Sequence, residues 1–274
     1  RKRHRLPSFE KSSVYLCALC GLCDFHGLLN RIVPAGSPKY LGHQRIGILS
    51  LFEKGKPMLK YDLHLHSRYS PDGTLDVRDI FRIAKKRGLD GIAITDHDTV
   101  RGGLEALKLK PEGLDVICGC EVNTDRGDVI GLFLTEEIRS RDHRSVIEEI
   151  HAQGGVAVVP HPFDSIRGSA FWLTDRDAPL IDGVEVVNAR CVFRRSNAAA
   201  DLYAGRFDRA RTGGSDAHFG GEIGNACTLI EEGDDLREAV LGRRTRPFGQ
   251  LSSPVFHLRT KALLMERRVI KRRD

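Results

Sequence analysis

The sequence predicts an α/β fold, with a largely parallel sheet covered by helices and either closed as a barrel or left open. Three observations carry that expectation. From residue 58 onward, short β-branched or apolar runs alternate with amphipathic segments. The runs hold few charges, as strands buried on both faces do. The clearest amphipathic segments stop at a glycine and lead into the next run, which is the β/α alternation of a parallel sheet. A chain of 274 residues with 41% hydrophobic composition can bury one sizeable core of this kind undivided.

The elements follow in order. The first strand is "LKYDLHLH". Residues two apart on a strand share a face, so Asp62, His64 and His66 gather three potential metal or proton ligands on one surface, and Tyr61, Leu63 and Leu65 take the other. "LDVRDIFRIAKKRG" carries Leu75, Ile80, Ile83 and Ala84 at helical spacing, stops at Gly88 and leads into the strand "GIAIT". The strands "DVICGCEV" and "VIGLFL" come next. The helix "HRSVIEEIHAQGG", with Val146, Ile147 and Ile150 before Gly154, precedes "VAVVPH". "GVEVVN", "RTGGSD" and "ACTLI" complete the series. In such sheets function belongs at the strands' carboxyl ends.

Charge is unevenly placed. The net charge is +6 and the pI about 9.0, yet residues 58–241 hold 23 basic against 32 acidic side chains, and the excess of Lys and Arg lies at the two ends. An acidic centre suits a protein whose core collects cations. The basic ends can be solvated, lean on the core or touch polyanions. No apolar run approaches the roughly 18 residues of a membrane span, so no membrane partner is expected. Among the seven cysteines, Cys118, Cys120, Cys191 and Cys227 stand in apolar stretches and read as buried free thiols of a reducing, cytoplasmic compartment. Cys17, Cys20, Cys23 and His26 form a C-x2-C-x2-C-x2-H spacing able to hold zinc or an iron–sulfur cluster, but no partner pair is evident before the first strand. A secretory leader fits less well, since Glu10 and Lys11 intervene between "RKRHR" and the apolar "VYLCALCGLC". Met58 would be a natural start for a self-sufficient domain. The expected division is an N-terminal extension over 1–57, a main domain over 58–250 and a basic tail over 251–274.

Side chains able to bind metals recur where strands end. His64 and His66 close the first strand, with Asp72 beyond the turn; "DHD" with His97 follows the second; Glu121 ends "GCEV". Asp128 opens "GDVIGLFL", His161 ends "VAVVPHP", and "GGSDAH" presents Asp216 and His218. Each alone has a structural explanation, such as a satisfied core histidine or a helix cap. Together they exceed the four to six ligands of a single ion, and histidine with carboxylate favours zinc, manganese or iron. Two or three divalent ions are implied.

The ordered motifs "DLHLHSRYSPDG", "AITDHDTVRG", "GCEV", "VPHP" and "GSDAH" resemble those of the PHP (polymerase and histidinol phosphatase) superfamily over about residues 58–250. The resemblance implies a distorted (β/α)7 barrel with a two- or three-metal site at its mouth and hydrolysis of phosphate esters. Carried over by position, it implies that His64, His66, Glu121 and Asp216 hold one ion. Glu121 would bridge to a second held by His161, and Asp72, His97 and His218 would hold a third. Many relatives have a histidine where this chain has Asp128, so that ligand and the metal preference (Mn2+, Zn2+ or Fe2+) are this chain's own question.

The chemistry expected of such a site is attack by a metal-bound water, with no protein nucleophile. Arg68 and Arg190 are the candidates for binding phosphate oxygens, because a guanidinium can fork onto them. Asp98 is placed to orient His97 or to protonate a leaving group. The expected substrate is a small phosphomonoester, a nucleotide or the end of an oligonucleotide. Candidate stacking rings near the motifs are few, namely Tyr69, Phe163, Phe171 and Trp172, which favours a small phosphorylated substrate. The tail would pack Leu263, Leu264 and Val269 on the core or contact nucleic acid. A function from another class is a metal-stabilised nucleic-acid-binding module without catalysis. Oligomeric state is not legible.

Overall fold

The computed structural model describes residues 56–270. Cys17, Cys20, Cys23 and His26, and almost all of the expected extension, lie outside the described residues. All eight anticipated runs form strands: β1 (Met58–Leu65), β2 (Gly91–Ile94), β3 (Asp115–Thr124), β4 (Gly127–Leu132), β5 (Val156–Val159), β6 (Gly183–Asn188), β7 (Ala210–Gly214) and β8 (Ala226–Glu231). A further strand, β9 (Arg246–Gly249), carries no alternating signal because it lies at a largely exposed sheet edge. The helices are α1 (Val77–Lys86), α2 (Arg101–Leu109), α3 (His143–Ala152), α4 (Arg194–Arg206), α5 (Leu236–Leu241) and α6 (Val255–Ile270). Asp76 and Asp142 start α1 and α3 by accepting the backbone N–H of Arg78 and Ser145. None of the described helices is long and apolar enough to cross a membrane.

The strands are ordered β7-β6-β5-β4-β3-β2-β1-β8-β9. Four neighbouring pairs are parallel and four antiparallel, so the sheet is mixed where a largely parallel one was expected. The cause is local. Only Asp125 and Arg126 separate β3 from β4, and so short a link permits only an antiparallel return. Closure comes from β1, which pairs along Met58–Tyr61 with β8 and beyond that with the segment following β7. Asp216 N donates to His64 O (2.8 Å) and His66 N to Ala217 O (2.9 Å). The strands β1 to β7 thus form a nearly closed, barrel-like sheet, with β8 and β9 on its flank.

The barrel-lining core draws Leu63, Ala93, Ile117, Ile130, Val158 and Ala210 from successive strands. A second cluster packs α1 on Leu65, Ile92 and Ile94. A third lies under α3 and α4, around Val122, Val129, Ile150 and Ala204. Here β1 departs from strict alternation. Its register shifts between Asp62 and Leu65, so Leu63 joins the lining core while Leu65 joins the cluster under α1. Asp62 leaves the histidine face and accepts the backbone N–H groups of Ser215 and Gly224, each at 2.8 Å. Cys118, Cys120, Cys191 and Cys227 are buried free thiols. The expected basic tail contains α6, whose Leu263 and Leu264 are half-buried while Val269 is 52% exposed.

Candidate metal centre

The nine anticipated ligand side chains meet at one end of the sheet, eight of them near or beyond the carboxyl ends of strands and Asp128 at the start of the antiparallel β4. Their donor atoms form four overlapping groups: His64, His66 and Glu121; His64, His161 and Asp216; Glu121, Asp128 and His161; and His66, Asp72, His97 and His218. Glu121 lies at the middle. Its Oε1 is 2.8 Å from His161 Nε2, and its Oε2 is 3.3 Å from both His64 Nε2 and His66 Nε2 and 3.2 Å from His97 Nδ1. Asp216 Oδ1 stands 3.4 Å from His66 Nε2, and Asp72 Oδ2 stands 2.9 Å from His218 Nε2 and 3.5 Å from His97 Nε2. Asp128 is buried, with Oδ2 3.9 Å from His161 Nε2 and Oδ1 accepting from Asn123 Nδ2 at 2.8 Å. It shares the Glu121 face because β3 and β4 pair Asn123 with Asp128 and Glu121 with Ile130.

A surrounding set of side chains fixes the imidazoles. His64 Nδ1–H donates to Glu185 Oε1 (3.1 Å), which turns its Nε2 lone pair toward Glu121. His66 Nδ1–H donates to Ser70 Oγ (3.0 Å), and that hydroxyl donates to Asp96 Oδ1 (3.1 Å). Glu185 Oε2 also accepts from the His161 backbone N–H (2.9 Å) and from Asn188 (2.9 Å). Gly214 permits this crowding, since a Cβ there would stand 2.4 Å from the Cβ of His64 and 2.6 Å from Glu185 Oε1. Two of the candidate ligands have positive φ, His161 at 31° and Asp216 at 54°, a conformation uncommon for non-glycine residues.

The donor set fits divalent cations. His64 Nε2, His66 Nε2, Glu121 Oε2 and Asp216 Oδ1 are all buried without a hydrogen-bond partner among the described residues, and they face one another. Buried polar atoms are seldom left so, and a shared cation satisfies all four at once. Burial alone would raise the Glu121 carboxyl, but His64, His97 and His161 outweigh it and hold it well below the usual range. Asp216 is likewise held low against its burial, by Arg167 and His64. Asp128 is raised, first by burial and then by Glu121. Burial, with His66 beside it, lowers His218 to about 4, leaving a neutral imidazole suited to ligation.

Three expected roles look different in the structure. The half-exposed Arg68 guanidinium pairs with Asp76 (2.6 Å), at the start of α1, and Glu105 (3.3 Å), in the middle of α2, and these carboxylates draw it away from the centre. Asp98 does not hydrogen-bond the His97 ring; it accepts the Asn123 backbone N–H (3.1 Å) and faces Arg141 (3.4 Å). Phe171 is 1% exposed, so it offers no stacking face. Arg190 does reach the centre, buried, with NH1 against His218 Nδ1 and NH2 donating to Thr260 (2.8 Å). Sequence reasoning missed Arg167, whose NH2 donates to Asp216 Oδ2 at 2.7 Å. It also missed Glu185, although a lone carboxylate within the apolar "GVEVVN" was a usable signal.

A barrel-like α/β sheet with a buried cluster of histidines and carboxylates at one end is thus defined by fold and site together, and the comparisons with known proteins narrow the class. The PHP domain family profile matches residues 62–181, and that of the PHP-associated domain matches residues 194–245. The chain is 44% identical over 144 residues to an uncharacterized protein of Methanocaldococcus jannaschii, covering 48% of this chain and 82% of that one. It is 32% identical over 127 residues to a 5'-3' exoribonuclease of Haemophilus influenzae, covering 40% of this chain and 45% of that one. A two-domain protein of Bacteroides vulgatus, containing a predicted PHP-like metal-dependent phosphoesterase, shares the fold at a TM-score of 0.59. Sequence identity there is 21%, over 76% of this chain and 70% of that one. This chain belongs to the PHP domain family.

Proposed function

We propose that the chain hydrolyses terminal phosphate esters, on a small phosphomonoester, a nucleotide or the end of an oligonucleotide, with two or three ions of Mn2+, Zn2+ or Fe2+. The observation that carries this reading is the convergence of four buried, unpartnered donor atoms from His64, His66, Glu121 and Asp216. These four would hold one ion, Glu121 with His161 and Asp128 a second, and Asp72, His97 and His218 a third. Such ions supply a hydrolytic water near neutral pH and neutralise phosphoryl oxygens. The chain's own residues do the rest. Glu185 and Ser70 hold the His64 and His66 rings in one tautomer. Arg167 and Arg190 place positive charge beside the ligands, where outer phosphate oxygens need donors.

Burial favours a terminal phosphate. His64, His66, Glu121, His161 and Asp216 are wholly buried, and the side chains of His97 and Asp72 alone among the ligands are more than a tenth exposed. A phosphate at the end of a substrate reaches such a recess more readily than one within a duplex. The exoribonuclease relative supports keeping nucleic-acid ends within the class. Assay of phosphomonoesters, nucleotides, bisphosphonucleotides and short oligonucleotides with Mn2+ tests the reading. Turnover of at least one terminal phosphate is expected; binding of oligonucleotides without turnover of any would favour a non-catalytic binding module instead.

Asp128 sets the metal preference. Its hard carboxylate oxygen beside Glu121 and His161 suits Mn2+ better than an imidazole would. Asp128→His is expected to keep activity while moving the optimum from Mn2+ toward Zn2+, and Asp128→Ala to weaken one ion selectively. Parental rates and metal profiles in both variants would remove Asp128 from the ligand set.

A further inference from the structure

The helix α6 starts at Val255, past residue 245 where the family profiles end, yet its inner face reaches the metal centre at two points. Near its start, His257 Nε2–H donates to the Arg190 carbonyl (2.9 Å) and Thr260 Oγ1 accepts from Arg190 NH2 (2.8 Å). Arg190 in turn lies against His218 Nδ1. Ten residues after His257, a rise of about 15 Å along a helix, Arg267 donates to the carbonyls of Ser70 (3.2 Å), Pro71 and Gly73 (2.9 Å). Those carbonyls belong to the turn that presents Asp72, whose Oδ1 is buried without a partner.

We propose that α6 is a brace for the cluster of Asp72, His97 and His218, and that Arg267 is its positioning residue. The inference rests on the metal-centre reading above. One guanidinium gathers three carbonyls of a four-residue turn, an arrangement that only a planar fork provides. The turn is tight, because a Cβ at Gly73 would stand 1.9 Å from Ser67 O, and its far side is tied by Thr74 Oγ1 donating to the His218 carbonyl (3.1 Å). Without Arg267 the three carbonyls turn to water, and the Asp72 carboxylate loses its fixed distance from His218. The helix therefore fastens two of the loops whose side chains must meet for that ion to bind, and leaves His64, His161 and Glu121 untouched. Arg267 lies off the reacting centre and acts through Asp72.

The test titrates the metal-free full chain with Mn2+ by calorimetry and elemental analysis, in the parent and in Arg267→Met, Arg267→Lys and Thr260→Val. The parent is expected to bind three ions. In Arg267→Met one ion weakens by about tenfold or more, as when a ligand's supporting partner is lost, while the other two keep their affinities and the metal-free melting temperature is unchanged. Arg267→Lys recovers part of the loss, and Thr260→Val weakens the same ion to a smaller degree. Parental binding of all ions in Arg267→Met overturns the brace, as does an equal weakening of every ion with a lowered metal-free melting temperature. If Arg267→Met does not fold, parental binding in Thr260→Val overturns it. A parent that binds two ions and hydrolyses phosphate esters overturns the brace alone, and a parent that binds none overturns the metal-centre reading itself.

Discussion

Glu121→Gln is expected to keep the fold and to lose at least about a hundredfold of the hydrolytic rate, the scale seen when one preorganised polar group is removed from an active site. Glu121 is the residue the other ligands share, with one oxygen 2.8 Å from His161 and the other within 3.3 Å of His64, His66 and His97. An amide of the same shape has one oxygen instead of two and sets an NH2 group against imidazole lone pairs. Two ions then lose a ligand together, so metal content should fall along with turnover. The side chain's contacts among the described residues are to the other candidate ligands, His161 at 2.8 Å foremost, so the barrel has no separate reason to unfold. Turnover at saturating Mn2+, measured beside metal content, checks this; parental values of both would show that Glu121 is not the shared ligand.

Chelation is the second large effect. Removing the ions should abolish phosphoesterase activity and lower the melting temperature. An ion at a hundred times its dissociation constant stabilises the folded state by about 2.7 kcal/mol, and about 1 kcal/mol is worth roughly 2–4 °C for a domain of this size. A loss of several degrees per ion follows, restored by Mn2+, Zn2+ or Fe2+. The metal-free centre keeps its charges in balance with protons: the carboxylates around His64 and His97 outweigh the cost of burial and raise both imidazoles, His97 to about 10. Those protons must leave before a cation enters, so metal binding should release protons and strengthen as pH rises. Scanning calorimetry with and without chelator, and proton release in two buffers of different ionisation heat, read both effects. Active protein that holds well under one metal per chain would contradict the scheme.

The strands and the candidate ligands were legible for one reason: both leave period and composition in the chain. Runs such as "GIAIT" and "VAVVPH" are apolar because their strands are buried on both faces, and imidazoles at their ends stand out against small neighbours. Asp128 stands seven residues after Glu121 with a turn between, a spacing that lets two antiparallel strands bring both carboxylates to one end, and the pairing sets it opposite Asn123 on the Glu121 face. The supporting residues were harder to see. Arg167 comes from the long β5–β6 connection, where no periodicity marks which arginine turns inward, and the pairing of Arg68 with Asp76 and Glu105 left no mark in the chain.

The sequence by itself determined the β/α alternation, the positions of eight strands and the nine side chains that meet at their ends. These depend on local pattern and on residue chemistry, which the chain carries at each position. Tertiary structure alone decided that a register shift in β1 sends Asp62 to the Ser215 and Gly224 amides, and that α6 reaches back to the Asp72 turn through Arg267. Each of those outcomes joins groups far apart in sequence, or chooses between partners of equal chemistry. Which partner a carboxylate or guanidinium takes is settled by distance and burial in the packed chain, and neither exists until the barrel has closed.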